Sequence, residues 1–333
     1  SPDSKNSPTL IAGYYSWCFL FDHQRRTGHL VFDEQFNKIS KCKLLEIFEA
    51  SRHPSPALEI KVTPFSYVID QNEYAKGFSR TQEFIQSGDV YQINYTQPFK
   101  AKYSGNPLGG YTKLKKISSS PLLAYMELDD GLSLCSMSPE LFLKIDGNHV
   151  STKPIKGTLP RSKDIQIDNE NIERLINSKK DNAENLMIVD LLRNDLSISC
   201  KNIQVPKLFA VESFELVHHL VSSIHGEKLK NKSSIDVFFD AFPGGSITGA
   251  PKRRAMEIIS ELEVAPRGFY CGSSFYFSNN DKHQSNILIR TFVFHEGEVV
   301  CNAGGGIVAD SECDSEYQES LDKISRLMKE LEA

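Results

Sequence analysis

Excess positive charge is the first thing missing from this sequence: 38 lysines and arginines stand against 43 aspartates and glutamates in 333 residues, a formal net charge of -5. Such a chain offers no basic face to nucleic acid or anionic lipid, and a small anionic ligand needs a local cationic pocket. Paired cysteines are missing too. The seven, at positions 18, 42, 135, 200, 271, 301 and 313, are odd in number and include no CxxC, the pattern of reduced thiols and not of a disulfide frame or zinc site. No apolar run is long. The most apolar early stretch, residues 10–21, is too short to span a bilayer and follows the polar SPDSKNSP, so neither a membrane helix nor a signal peptide is indicated and a cytoplasmic location is expected. HExxH and G-x-S-x-G are absent, which leaves zinc peptidase and serine hydrolase readings unsupported.

What is present suffices for a large core. A chain of this length buries about three quarters of its unfolded surface, and with no repeat, low-complexity tract or clear linker a single α+β domain over residues 1–333 is expected. Residues 17–21 and 29–32 flank DHQRRTG as a hairpin, and residues 41–51 read as a short helix. Asp70 and Glu73 form a capping-box pattern before Tyr74, Phe78, Phe84 and Ile85. The strand at 90–95 puts Gln92 and Asn94 on one polar face, unlikely core and able to line a site. Hairpins follow at 122–128 with 132–136 and at 141–145 with 149–152; helices are expected at 169–178, 181–194, 233–242, 252–263 and 314–331, and strands at 214–224, 270–277, 286–295 and 298–302. The helix at 181–194 is apolar nearly all round, which marks it as buried.

The chemistry-bearing residues sit at the joints of this pattern. In KPIKGTLPR, residues 153–161, Lys156 lies between two prolines and beside Gly157, a stiff support for an ammonium. Free lysine titrates near 10.4, so a nucleophilic amine requires that value lowered by burial or like charge. Glu140 in Ser138-Pro139-Glu140 lies between two strands, where a buried carboxyl suits acid or base work. Glu184 opens a helix, and Glu316 and Glu319, three apart, share a helix face as oxygen ligands of a hard cation would. The stretch PGGSITGAPK, residues 243–252, brings backbone amides to a helix start without being a Walker A loop, and NAGGG at 302–306 lets a ligand approach the backbone. His218 and His219 alternate faces of a strand, so at most one faces a site.

SPELF, KPIKGTLPR, DNAENLMIVDLLRNDL, VHHLVSSI, AFPGGSITGAPK, NILIRT, NAGGGIVADS and SEYQESLDK, in that order, resemble the chorismate-utilising enzymes over essentially the whole chain, and within them the aminodeoxychorismate synthase component I group. The resemblance implies two packed antiparallel β-sheets flanked by helices, dependence on Mg2+, and chorismate as substrate. It implies that Glu184, Glu316 and Glu319 hold the Mg2+, that Glu140 is the acid assisting departure of the C4 hydroxyl, and that Ser246, Tyr270, Arg290, Gly304, Gly306 and Lys323 grip the substrate's carboxylates. His219 matches a histidine close to the substrate, its catalytic role open. The family's usual further N-terminal stretch, which holds part of a tryptophan pocket, is missing from the pattern.

Two positions separate the family's chemistries. Lys156 stands where anthranilate synthases have alanine and the aminodeoxychorismate enzymes have a lysine that attacks C2. Gln92 stands where isochorismate and salicylate synthases place the lysine that activates water. The resemblance therefore implies amination of chorismate at C4 through a Lys156 adduct, in para-aminobenzoate and folate synthesis. The ammonia is expected from a glutamine amidotransferase subunit in a heterodimer, since G-x-C-x-G does not occur. The alternatives are anthranilate synthase component I and an inactive chorismate-binding regulatory subunit.

Overall fold

Among the described residues of this computed structural model, which are 9–33, 35–36, 38–50, 58–128 and 130–333, every strand pairing is antiparallel. The chain divides into two compact units, Ser1–Leu58 and Glu59–Ala333. In the first, β1 (Trp17–Asp22) and β2 (Thr27–Phe32) pair as the expected hairpin, its turn held by Asp22 Oδ1, which accepts from the backbone of Gln24 and Arg25. Helix α1 (Lys38–Ala50) sets Phe48 against Phe19, ring centroids 5.1 Å apart. It starts earlier than the expected 41, and residue 51 lies outside the described residues.

The second unit runs β3 (Ile60–Val62), β4 (Ser66–Tyr67), α2 (Gln71–Gln86), β5 (Gln92–Gly105), α3 (Pro107–Ile117), β6 (Leu122–Glu127), β7 (Ser133–Ser138), β8 (Leu141–Asp146), β9 (His149–Lys153) and β10 (Ile155–Pro160). Then come α4 (Ile165–Asn177), α5 (Lys179–Ser197), β11 (Cys200–Ser213), β12 (Val217–Lys228), α6 (Ser234–Ala241), a 3-10 turn at Gly245–Ile247, β13 (Gly249–Ala250) and α7 (Lys252–Leu262). The chain ends with β14 (Phe275–Ser278), β15 (Lys282–Asn286), β16 (Thr291–His295), β17 (Glu298–Ile307), α8 (Cys313–Asp322) and α9 (Ser325–Glu332). One sheet has the order β10-β12-β9-β8-β15-β14 with β11 on β12; the other has β13-β5-β17-β16-β7-β6 with β3 and β4 on β5. This is the expected α+β class, with antiparallel sheets flanked by helices.

Each sheet buries one face under helices. Phe142, Leu143, Ile145, Val150 and Ile224 pack on Ile188, Val189, Leu192 and Leu196 of α5 and on Val237, Phe238 and Ala241 of α6. On the other sheet, Phe99, Met137, Phe292, Phe294 and Val299 pack on Leu114 of α3 and on Leu327, Met328 and Leu331 of α9. The capping box of α2 is formed, Asp70 accepting from Glu73 and Glu73 from Asp70, and places Tyr74 and Phe78 on Tyr95 and Ile307.

Several expectations change. Helix α5 is buried along one stripe and not all round: Leu186 is 46% exposed, because α5 covers a sheet on one side only. The face of β5 carrying Gln92 and Asn94 is buried, Asn94 donating to the Ile247 carbonyl at 3.0 Å. The strand expected at 286–295 is two strands, broken where Arg290 takes a positive φ of 52°. The helix expected at 314–331 breaks at Ile324, which lets α8 turn Glu316 and Ser320 inward while α9 turns its own apolar stripe to the second core. Strand β11 went unread because three register shifts interrupt its alternation.

Candidate active site

Lys156 lies on β10 at a bulge. The register against β12 slips between Lys156 and Thr158, with Gly157 between them at φ 76°, a conformation open to glycine without strain. A Cβ there would also lie 3.0 Å from Asp181 Cγ, so the glycine lets β10 press against the start of α5. That contact puts Lys156 Nζ 3.6 Å from Glu184 Oε2, the two side chains 15% and 14% exposed.

Across from them, α8 lays Glu316 and Glu319 over β17. The space a Cβ on Gly305 would fill is ringed by Glu316 Oε2 at 3.2 Å, Lys323 Nζ at 3.5 Å and Glu319 Oε1 at 3.7 Å, so the bare glycine lets both carboxylates lie close over the strand. Glu316 is 2% exposed and its Oε1 accepts from Ser311 Oγ at 2.7 Å and from Lys180 Nζ at 3.3 Å. Glu319 pairs with Lys323 at 2.8 Å, and Lys323 also donates to the Gly304 carbonyl at 2.9 Å. Burial pushes the Glu184 carboxyl above the usual carboxylate range against the pull of Lys156 and Lys180, with the charges of Glu319 and Glu316 adding to the rise. The three glutamates and three lysines thus form one electrostatic cluster. Among the described residues no three acidic, histidine or cysteine side chains stand close enough to enclose a metal ion; ammonium groups lie among the carboxylates. The donor set itself, three carboxylates from two helices, suits a hard cation.

Glu140 reaches the same cluster from the turn between β7 and β8. Ser138 Oγ donates to the Ile287 carbonyl at 2.6 Å and accepts from the Glu140 amide at 3.2 Å, fixing the turn. Ser246 Oγ donates to Glu140 Oε1 at 2.8 Å. Burial raises the Glu140 carboxyl, opposed by the Ser246 bond and the charges of Lys156 and Lys323. The Ser246 turn is itself clamped: the Arg267 guanidinium donates to the carbonyls of Ile247 and Asn94 and to both oxygens of Glu263.

His219 and His218 face opposite ways, as the alternation required. His219 Nδ1 is 2.8 Å from Thr158 Oγ1, and burial, then the nearby Arg290 charge, brings its pKa down to about 4. His218 instead joins Ser213 to Asp168 in the packing of α4. Arg290 is largely enclosed, and among the described residues no carboxylate pairs with its guanidinium. Tyr270 is buried beside Cys271, Arg267 and Glu263 and lines a cavity of about 480 Å³ with Ile247 and Thr248. Gly304 and Gly306 run along β17, where a Cβ would strike the Tyr95 carbonyl or the Gln92 side chain. The sequence reading passed over Lys180, which could have been found from its place four residues before Glu184, on the same helix face. Gln92, read as able to line a site, carries two buried amide atoms without a partner among the described residues.

His219 and His283, both buried and both brought down to about 4 chiefly by burial, predict an acid-sensitive fold. Unfolded histidine titrates near 6.5, so between pH 6.5 and 4 the unfolded chain binds more protons and stability falls as pH falls, by at most about 3 kcal/mol per histidine. Thermal unfolding should show Tm dropping across that window, and the drop should flatten in His283→Gln; an equal slope in both proteins overturns it.

A family model described as chorismate binding enzyme matches residues 1–329. The chain is 43% identical over 328 residues to aminodeoxychorismate synthase component 1 of Escherichia coli K12, spanning 98% of this chain and 71% of that one. It is 33% identical over 342 residues to aminodeoxychorismate synthase component 1 of Bacillus subtilis 168, spanning 100% and 73%. Among solved structures it superposes on anthranilate synthase component I from Streptococcus pneumoniae TIGR4 with a TM-score of 0.85 at 30% identity, covering 94% of this chain and 72% of that one.

Proposed function

Because the chain belongs to the chorismate binding enzymes, we propose that it aminates chorismate at C4 to give 4-amino-4-deoxychorismate, the amination step of para-aminobenzoate synthesis. The observation that carries this reading is the pairing of a screened amine with a buried acid: Lys156 sits in the cluster at Glu184, and its charge acts on Glu140. Lys156, as free amine, adds to C2 of chorismate; both ring double bonds shift, and the C4 oxygen leaves as water with the proton that Glu140 supplies. Ammonia then bonds to C4, both double bonds shift back, the C2–N bond breaks to return the lysine, and a proton from the new C4 nitrogen returns to Glu140. Chorismate and ammonia are thus converted to product and water.

The substrate's negative charge needs local cations, and the enclosed Arg290, with Lys323, Ser246, Tyr270 and the amides of Gly304 and Gly306, is proposed to receive it. His219, held neutral by its lowered pKa, contributes polarity there without charge. Glu184, Glu316 and Glu319 would hold a Mg2+ ion, whose chemistry when bound is to neutralise the ring carboxylate. Relatives named component 1 imply a second component, and we take it to be a glutamine amidotransferase that delivers ammonia in the cytoplasm.

The test is a product assay with chorismate, MgCl2 and an ammonium salt. Accumulation of 4-amino-4-deoxychorismate, converted to para-aminobenzoate only when a lyase is added, is expected. Fluorescent anthranilate forming without a lyase would favour the anthranilate synthase reading, and binding without turnover under any amine supply an inactive regulatory subunit.

A further inference from the structure

Three lysines share the acidic cluster, and two have other work. Lys156 is 15% exposed beside Glu184, and Lys323 is tied to the Gly304 carbonyl as well as Glu319. Lys180 differs. Its Nζ contacts Glu316 at 3.3 Å, and the charges of Glu316, Glu184 and Glu319 all act on it. A positive charge that feels all three carboxylates occupies the electrostatic position that a divalent cation would take. Its stem is open to water where its partner is not: the Lys180 side chain is 56% exposed, that of Glu316 2%. A lysine so placed leaves for water at small cost, whereas a buried carboxylate stripped of its counter-charge is destabilised strongly. Ser311 Oγ holds Glu316 in place meanwhile.

We propose that Lys180 is the resident counter-ion of this cluster, an ammonium that swings off Glu316 as a divalent cation binds, and which thereby sets the metal affinity of the site. This rests on the reading of Glu184, Glu316 and Glu319 as the metal-holding carboxylates. It accounts for two facts together: the three carboxylates are not drawn tightly enough to enclose an ion, and yet none is left without a lysine. One cation exchanges for another, so the buried Glu316 never stands uncompensated.

The experiment measures binding of MgCl2 alone by calorimetry, with Mn2+ binding followed by electron paramagnetic resonance, in wild type, Lys180→Met, Lys180→Arg and Glu316→Gln, all without chorismate. Lys180→Met should bind Mg2+ about two- to fivefold more tightly, the weight of one partly exposed ion pair. Its metal-free Tm should fall and the rise in Tm on adding MgCl2 should grow, while Lys180→Arg stays near wild type. Binding in Lys180→Met that is equal to or weaker than wild type, with wild type itself binding Mg2+, overturns the exchange and leaves the metal site standing. No Mg2+ binding to any of the four proteins overturns both. Binding only in Lys180→Met supports the exchange in its strongest form.

Discussion

Lys156→Ala should lower formation of 4-amino-4-deoxychorismate on the order of 10³-fold or more, since removing a covalent nucleophile leaves only binding and orientation to act. Charge alone does not explain a loss of that size, and Lys156→Arg separates the two roles. Arginine keeps a cation beside Glu184, 3.6 Å from the present amine, but cannot become a free nucleophile at any working pH. If Lys156 attacks C2, both variants are inactive. If it only balances Glu184 and Glu140, arginine restores most of the rate. A direct reading comes from intact-mass measurement of acid-quenched enzyme mixed with chorismate and MgCl2 in the absence of ammonia. Wild type should gain the mass of chorismate less water, and Lys156→Ala should gain nothing. Unchanged turnover in Lys156→Ala returns the residue to a carboxylate clamp and ends the covalent route.

How far such a site can be read from the chain depends on the range of the forces that build it. The capping box at Asp70 and Glu73 is local, and it stands as its spacing implied. So do the hairpins of β6 with β7 and β8 with β9, whose turns and alternation lie within about 20 residues of each other. The three-residue spacing of Glu316 and Glu319 put both on one face of α8, and the structure has them both over Gly305. What brings Lys180 to Glu316, 136 residues away, is the docking of α5 and α8, which no window of sequence contains. The same holds for Ser246 and Glu140, 106 residues apart. Burial is equally long-range. Gln92 and Asn94 read as a polar face unlikely to be core and able to line a site, yet β5 runs between β13 and β17, and its polar side chains are enclosed with it. Sequence could suggest the chemical identity of the acid; only the closed environment explains why its carboxyl is raised above the usual carboxylate range.

Glu140→Gln is the companion to the lysine experiment and should cost about 10²- to 10⁴-fold in turnover, the usual weight of a positioned general acid. The reasoning runs through its pKa. Burial raises the carboxyl, while the bond from Ser246 and the charges of Lys156 and Lys323 pull it back, and the net shift is upward. An acid must be protonated to act, so turnover should fall as pH rises through the raised Glu140 value, and Glu140→Gln should lack that descending limb. Ser246→Ala removes a bond that favours the carboxylate; its limb should therefore move to higher pH, whereas a purely structural role for Ser246 would lower the rate without moving the limb. Stability carries the same sign. Because the folded state holds this proton more tightly than the unfolded chain, the contribution is complete below the unfolded value and is lost as pH rises through the folded one. At pH 8 Glu140→Gln, having no charge to bury, should match or exceed the wild-type Tm while its turnover stays reduced. A variant that loses Tm and activity together at pH 8 would mean that Glu140 holds the turn between β7 and β8 and gives no proton to the substrate.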